Sequence, residues 1–210
     1  MSHVVLLGDS IFDNAAYVAG GPDVHDHLRE VLPSNWKVSL LGEDGSVTYH
    51  VIDQLNRLAK DVTHLVISIG GNDALAKSGI LNEGASSVFE VMGKLAKTKA
   101  DFQSSYRTML SMILAKGLPT TLCTIYYPQY PEPLFQEAAV AALSLFNDVI
   151  ILETFAAGLP LIDLRLVCTE ATDYANPIEP SVEGGAKIAA VIAWVIQQHD
   201  FRFKQTIVYK

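Results

Sequence analysis

His3-Val4-Val5-Leu6-Leu7-Gly8-Asp9-Ser10 opens the chain with four consecutive aliphatic residues and ends on a glycine and two small polar ones. A strand with one wet face alternates apolar and polar residues. An unbroken aliphatic run closed by a turn is the pattern of a strand covered on both faces, as in a parallel sheet. Working outward, Lys37 to Leu41, His64 to Ile69, Pro119 to Ile125 and Leu159 to Leu164 repeat that pattern, and His3 to Leu7 makes five strands. Helical spacing lies between them. Val47, Val51, Leu55 and Leu58 form one stripe; Val88, Val91, Met92 and Leu95 predict an extra helix before Asp101. Tyr106, Met109, Leu110, Ile113 and Leu114 form another helix, which Gly117 and Pro119 stop. Pro131 to Thr154 reads as a longer helix, and Ser181 caps a last one running to about His199. The expectation is one doubly wound α/β domain over residues 1–210 with a five-stranded parallel sheet. Residues 201–210 read as a tail or edge strand, packed on their own domain or on a second copy in a homodimer.

Composition narrows the function. The 210 residues are 50% apolar and 18% charged, which excludes a disordered chain. Fifteen basic against 23 acidic residues give a net charge of −8, the wrong sign for non-specific nucleic-acid binding. Val4 to Leu7 is too short for a signal-peptide core or a membrane span, so no membrane partner and a cytoplasmic location are expected. Cys123 and Cys168 are too few and too far apart for a disulfide scaffold or zinc site.

Ligands of open parallel sheets bind beyond the carboxyl ends of the strands. Three polar turns fall on that edge: Gly8-Asp9-Ser10, the segment with Gly42 and Gly45, and Gly70-Gly71-Asn72-Asp73. A serine hydroxyl there can attack an acyl carbonyl while backbone N–H groups and a side-chain amide hold the oxyanion. Ser10, Gly45 and Asn72 supply those parts. With Leu7-Gly8-Asp9-Ser10-Ile11-Phe12-Asp13-Asn14 as its first motif, the chain resembles the GDSL or SGNH hydrolases over nearly its whole length. That resemblance implies a flavodoxin-like three-layer sandwich and an esterase or lipase with no metal or other cofactor; the carboxylates around the mouth disfavour anionic substrates, so a small neutral or cationic ester is expected. It makes Ser10 the nucleophile, with Ser10 N–H, Gly45 N–H and Asn72 as the oxyanion hole.

The fourth motif departs from the family pattern Asp-x-x-His-Pro. Here Asn176-Pro177-Ile178-Glu179-Pro180 precedes Ser181, so Glu179 stands at the histidine position and Asn176 at the aspartate position. An ordinary glutamate titrates near 4.3, too low for a base at neutral pH. The positive end of the last helix lowers it further, whereas burial and repulsion from Asp9, Asp13, Asp73, Glu170, Asp173 and Glu183 raise it. Three readings follow: Glu179 is the base; another histidine serves, with His50 foremost and His25 and His27 behind it; or the site binds without turnover. His3, His64 and His199 lie at the wrong ends of their elements.

Thr124 to Pro131 packs Tyr126, Tyr127 and Tyr130 at the same edge, as an acyl-binding wall or as a cover for the strand end. Phe12 and Tyr17 are candidates for the opposite wall, and Asp9 and Asp73 for substrate contacts. Two other functions compete with the serine hydrolase: a binding module without a base, and a metal-assisted phosphoesterase built on Asp9, Asp13, Asp73, Asp173 and Glu179.

Overall fold

The computed structural model describes residues 2–210. Strands β1 (Ser2–Gly8), β2 (Trp36–Leu40), β3 (His64–Ser68), β4 (Thr120–Cys123), β5 (Leu161–Ile162) and β6 (Val208–Tyr209) pair in parallel in the order 2-1-3-4-5-6. The sheet therefore has six strands, not the expected five. The sixth comes from the tail, where Val208 and Tyr209 pair with Leu161 and Ile162. The tail thus forms the edge strand that was one of its expected states; at two residues it leaves only a faint alternation in sequence, and it exists because β5 offers it an edge.

Helices α1 (Val24–Val31), α6 (Leu164–Val167) and α7 (Val182–Gln198) cover one face. Helices α2 (His50–Asn56), α4 (Val88–Leu114) and α5 (Pro133–Ala157) cover the other, and the short α3 (Gly71–Ala76) follows β3 at the carboxyl edge. Neighbouring strand residues serve different cores: Val4, Leu6 and Val66 pack under α1 and α7, while Val5, Leu7, Leu65 and Ile67 pack under α4 and α5. Both parities are buried, which is why the strands read as continuous aliphatic runs. The two helices expected around residue 101 are one helix of 27 residues. Helix α5, 25 residues long with an 18-residue window of mean hydropathy 1.6, is long and apolar enough to cross a bilayer, yet Leu143, Phe146, Val149 and Ile150 pack into the domain core.

Strand order reverses between β1 and β3, and there the site forms. Gly8 ends β1 at φ +130, and a Cβ on it would sit 1.7 Å from the Ser68 carbonyl oxygen. Only glycine lets the two strand ends approach so closely. The buried amide of Gln54 completes the joint, accepting from Gly8 N–H and donating to Gly8 C=O, both at 2.8 Å.

Candidate active site

Asp9, Ser10 and Ile11 turn sharply out of β1. Asp9 N–H still bonds the Ser68 carbonyl, Ile11 N–H donates to the Asp9 carboxyl at 3.2 Å, and Phe12 N–H returns to the Asp9 carbonyl. The turn leaves the Ser10 hydroxyl donating to Glu179 Oε1 at 3.0 Å, with both residues buried.

Glu179 comes from the far end of the chain, and its neighbours are pinned. Tyr126 Oη donates to the Ile178 carbonyl at 2.6 Å, and Asn14 Nδ2 donates to the Pro180 carbonyl at 3.1 Å. The side-chain oxygen of Asn176 accepts from the N–H groups of Ile178 and Glu179 at 3.0 and 3.1 Å. It shapes the backbone and does not touch the Glu179 carboxyl group. Ser181 caps α7 by accepting from Gly184 N–H.

Electrostatics settles the contest between burial and the helix end. Burial raises Glu179 from an ordinary 4.5 to about 7; the Ser10 hydroxyl opposes the shift and the nearby Asp44 carboxylate adds to it. Asp9 rises from 3.8 to about 8, chiefly through burial, against the pull of Ile11 N–H and with Glu179 and Asp73 adding repulsion. Both carboxyls therefore titrate well above the ordinary carboxylate range, Asp9 the higher of the two.

On the other side of Ser10, Gly70 takes φ +121 where a Cβ would crowd Phe102 and Ile125, and α3 starts directly after it. This presents Asn72, whose Nδ2 spends one hydrogen on the Ser46 carbonyl at 3.0 Å and keeps the other. Gly45, at φ +76, stands next to that Ser46 in the turn after β2. Among the described residues, the N–H groups of Ser10 and Gly45 have no protein acceptor.

Ser10 and Glu179 line an open groove. Its walls are mainly apolar, with Leu75, Ile80, Leu81 and Leu95 on one bank and Phe135, Leu143 and Phe146 on the other. A buried hydroxyl bonded to a carboxylate of raised basicity, beside unused N–H donors and an apolar trough, suits attack on an acyl carbonyl.

The family model described as GDSL-like lipase/acylhydrolase matches residues 6–187. The chain belongs to this family. A lipase/acylhydrolase from Enterococcus faecalis superposes with a TM-score of 0.69 at 24% identity, covering 94% of this chain and 96% of that one. A phospholipase A1 from Streptomyces albidoflavus (0.68, 14%, 92% and 98%) and an aryl esterase from M. smegmatis (0.67, 13%, 94% and 99%) share the fold as well. None of the curated proteins matches.

In this GDSL-like protein the structure brings Asp9, Ser10, Asn72, Tyr126 and Glu179 together along the groove. Gly45 faces a separate shallow cleft beside Glu43 and His50. Phe12, expected on a wall, is wholly enclosed in the core, and its place at a motif gives no sign of that. Asp73 is spent on Thr48, accepting from its N–H at 2.9 Å and its hydroxyl at 3.0 Å. Tyr127 packs against the α4–α5 core, with the Arg165 guanidinium 5.9 Å from its ring centroid. His50 accepts from Val47 N–H at 3.1 Å and lines the cleft, not the groove.

The carboxylates named for metal binding do not converge. Asp173 is buried against Lys187 Nζ at 2.7 Å, and the single trio of close ligand atoms among the described residues is Asp23, His25 and Asp26 at the start of α1. Sequence reading missed Asn14, Gln54 and Asp44. Asn14 and Gln54 are buried amides bonded to backbone 166 and 46 residues away, which no local pattern encodes. Asp44 is held by Tyr17 Oη at 2.7 Å, so Tyr17 touches the site's charge rather than a substrate wall.

Proposed function

We propose that this protein is a serine ester hydrolase in which Ser10 is the nucleophile and Glu179 replaces histidine as the base. The observation that carries the reading is the buried 3.0 Å bond from Ser10 Oγ to Glu179 Oε1 in the groove. A carboxylate of ordinary acidity is a poor partner for a serine hydroxyl, but one titrating near 7 matches the working pH as a histidine does. Asn176 fixes the turn through the N–H groups of Ile178 and Glu179 and brings no charge to it. Glu179 accepts the proton directly, so it has no ring nitrogen to orient.

The steps balance on these residues. Ser10 Oγ bonds to the acyl carbon as its proton passes to Glu179, and the carbonyl electrons move onto oxygen. The oxyanion is met by Ser10 N–H and the second Asn72 hydrogen, while Gly45, expected as a third donor, lines the separate cleft. On collapse the alkoxide leaves with the proton from Glu179, and the acyl group stays on Ser10. Water then repeats the sequence, releasing a carboxylic acid and restoring the serine. The groove takes the acyl arm; its apolar length favours an aliphatic chain, extending the expectation of a small neutral ester.

A fluorophosphonate tests the nucleophile. The wild type is expected to gain one adduct mass, mapped to Ser10, and Ser10→Ala to gain none. A folded wild type that stays unlabelled would falsify the reading.

A further inference from the structure

Val88, Val91, Met92 and Leu95 have the three- and four-residue spacing of a helix face that buries, yet only part of that face is covered. Leu95 lines the groove, whereas Val91 is 40%, Met92 57% and Val88 78% exposed, and Phe89 beside them is 88% exposed. Val88 lies about 10 Å along α4 from Leu95 at a rise of about 1.5 Å per residue, so the stripe runs outward from the groove without a break. On the facing bank Phe135 lines the groove and its neighbour Leu134 is 73% exposed. The apolar lining thus continues over both lips onto the outer surface, and connected apolar surface of this kind marks an interaction face.

Charge identifies what that face meets. The lips, residues 75–99 and 131–139, carry Lys77, Lys94, Lys97 and Lys99 against Glu83, Glu90, Glu132 and Glu137, four of each sign. The net charge of −8 is therefore carried entirely by the rest of the chain. We propose that the two lips dock the protein on a neutral lipid–water interface. Val88, Phe89, Met92 and Leu134 enter the headgroup boundary while the acidic body stays in water. An ester's acyl arm then passes from lipid into the groove without crossing water. A second copy is the poorer occupant, because it brings two strongly acidic bodies together, whereas a neutral surface offers no such repulsion. The inference rests on the groove being the acyl site proposed above. The proposal departs from the expectation of no membrane partner, which was drawn from the lack of a membrane span in the sequence; docking of this kind needs no span.

Flotation of the full chain with phosphatidylcholine vesicles, at low salt and at high salt, is the test. The wild type is expected to float at both, and the double variant Val88→Ser, Phe89→Ser to lose at least about tenfold in partition while cleaving a dissolved short ester within about twofold of wild type. Leu152→Ser with Phe155→Ser, exposed at the other end of α5, should float as wild type does. Failure of the wild type to float, equal flotation of the lip variant, or a wild-type dimer in sedimentation that the lip variant dissociates overturns the proposal. Ser10→Ala should float unchanged whether or not any ester is cleaved, so failure of the serine chemistry and failure of docking read separately.

Discussion

The two flanks of Ser10 are built on opposite principles. On the flank proposed to hold the oxyanion, backbone conformation does the positioning: Gly8 and Gly70 both take positive φ, and Gly8 permits an approach that any Cβ would block. On the flank of the proposed base a single side chain, Glu179, bonds the Ser10 hydroxyl, and its acidity is set by burial rather than by sequence neighbours. The first flank is fixed by what can fit, the second by what surrounds it. Changes on the first should act on transition-state binding at every pH, whereas changes on the second should show in the pH dependence.

The largest effect is expected at the base. Glu179→Gln keeps the shape but cannot accept a proton, and kcat on a dissolved ester should fall by about 10²–10⁴-fold at pH 8. A comparable rate in the variant would move the base elsewhere. Asn72→Ala tests the other flank: loss of one oxyanion donor is expected to lower kcat about 10²–10³-fold, equally at pH 6 and pH 8. A loss that changes with pH would break the contrast between the flanks.

The pH profile of kcat/KM sharpens it further. Activity should rise as Glu179 ionises near 7 and decline as Asp9 loses its proton near 8, because a second carboxylate then faces the developing oxyanion. Asp9→Asn should cost little at pH 7 and remove the alkaline decline.

The smallest effect is on stability. Both carboxyls have values raised by folding, so the stability they lend as neutral acids is fully present below their unfolded values near 4. It is lost as pH rises through about 7 for Glu179 and about 8 for Asp9. Glu179→Gln should therefore unfold at higher denaturant than wild type at pH 8, by about 1–3 kcal/mol, with the gain vanishing at pH 4. A gain of the same size at both pH values would point to packing rather than charge.

What could be read from sequence follows the same division. The aliphatic runs and the glycines at the ends of β1 and β3 state requirements that act over a few residues, so the parallel sheet and the position of Ser10 and Asn72 were legible. Glu179 could be singled out in the sequence, but not its acidity, which depends on burial and on Asp44. Phe12 misled because a motif neighbour need not point into the site; it packs inward beneath α1 and α7. The sixth strand was written in the tail only as faint alternation, since two residues acquire their conformation from the edge they join.

Tyr126 and Asn14 grip the carbonyls on either side of Glu179. The carboxyl therefore hangs from a peptide fastened at both ends, like a short span between two piers, and has little freedom left to lose on the way to the transition state. Much of the entropy of placing the base is met when the chain folds, not at each turnover. Releasing one pier, as Tyr126→Phe does, should consequently leave the basicity of Glu179 in place and register as a less favourable entropy of activation.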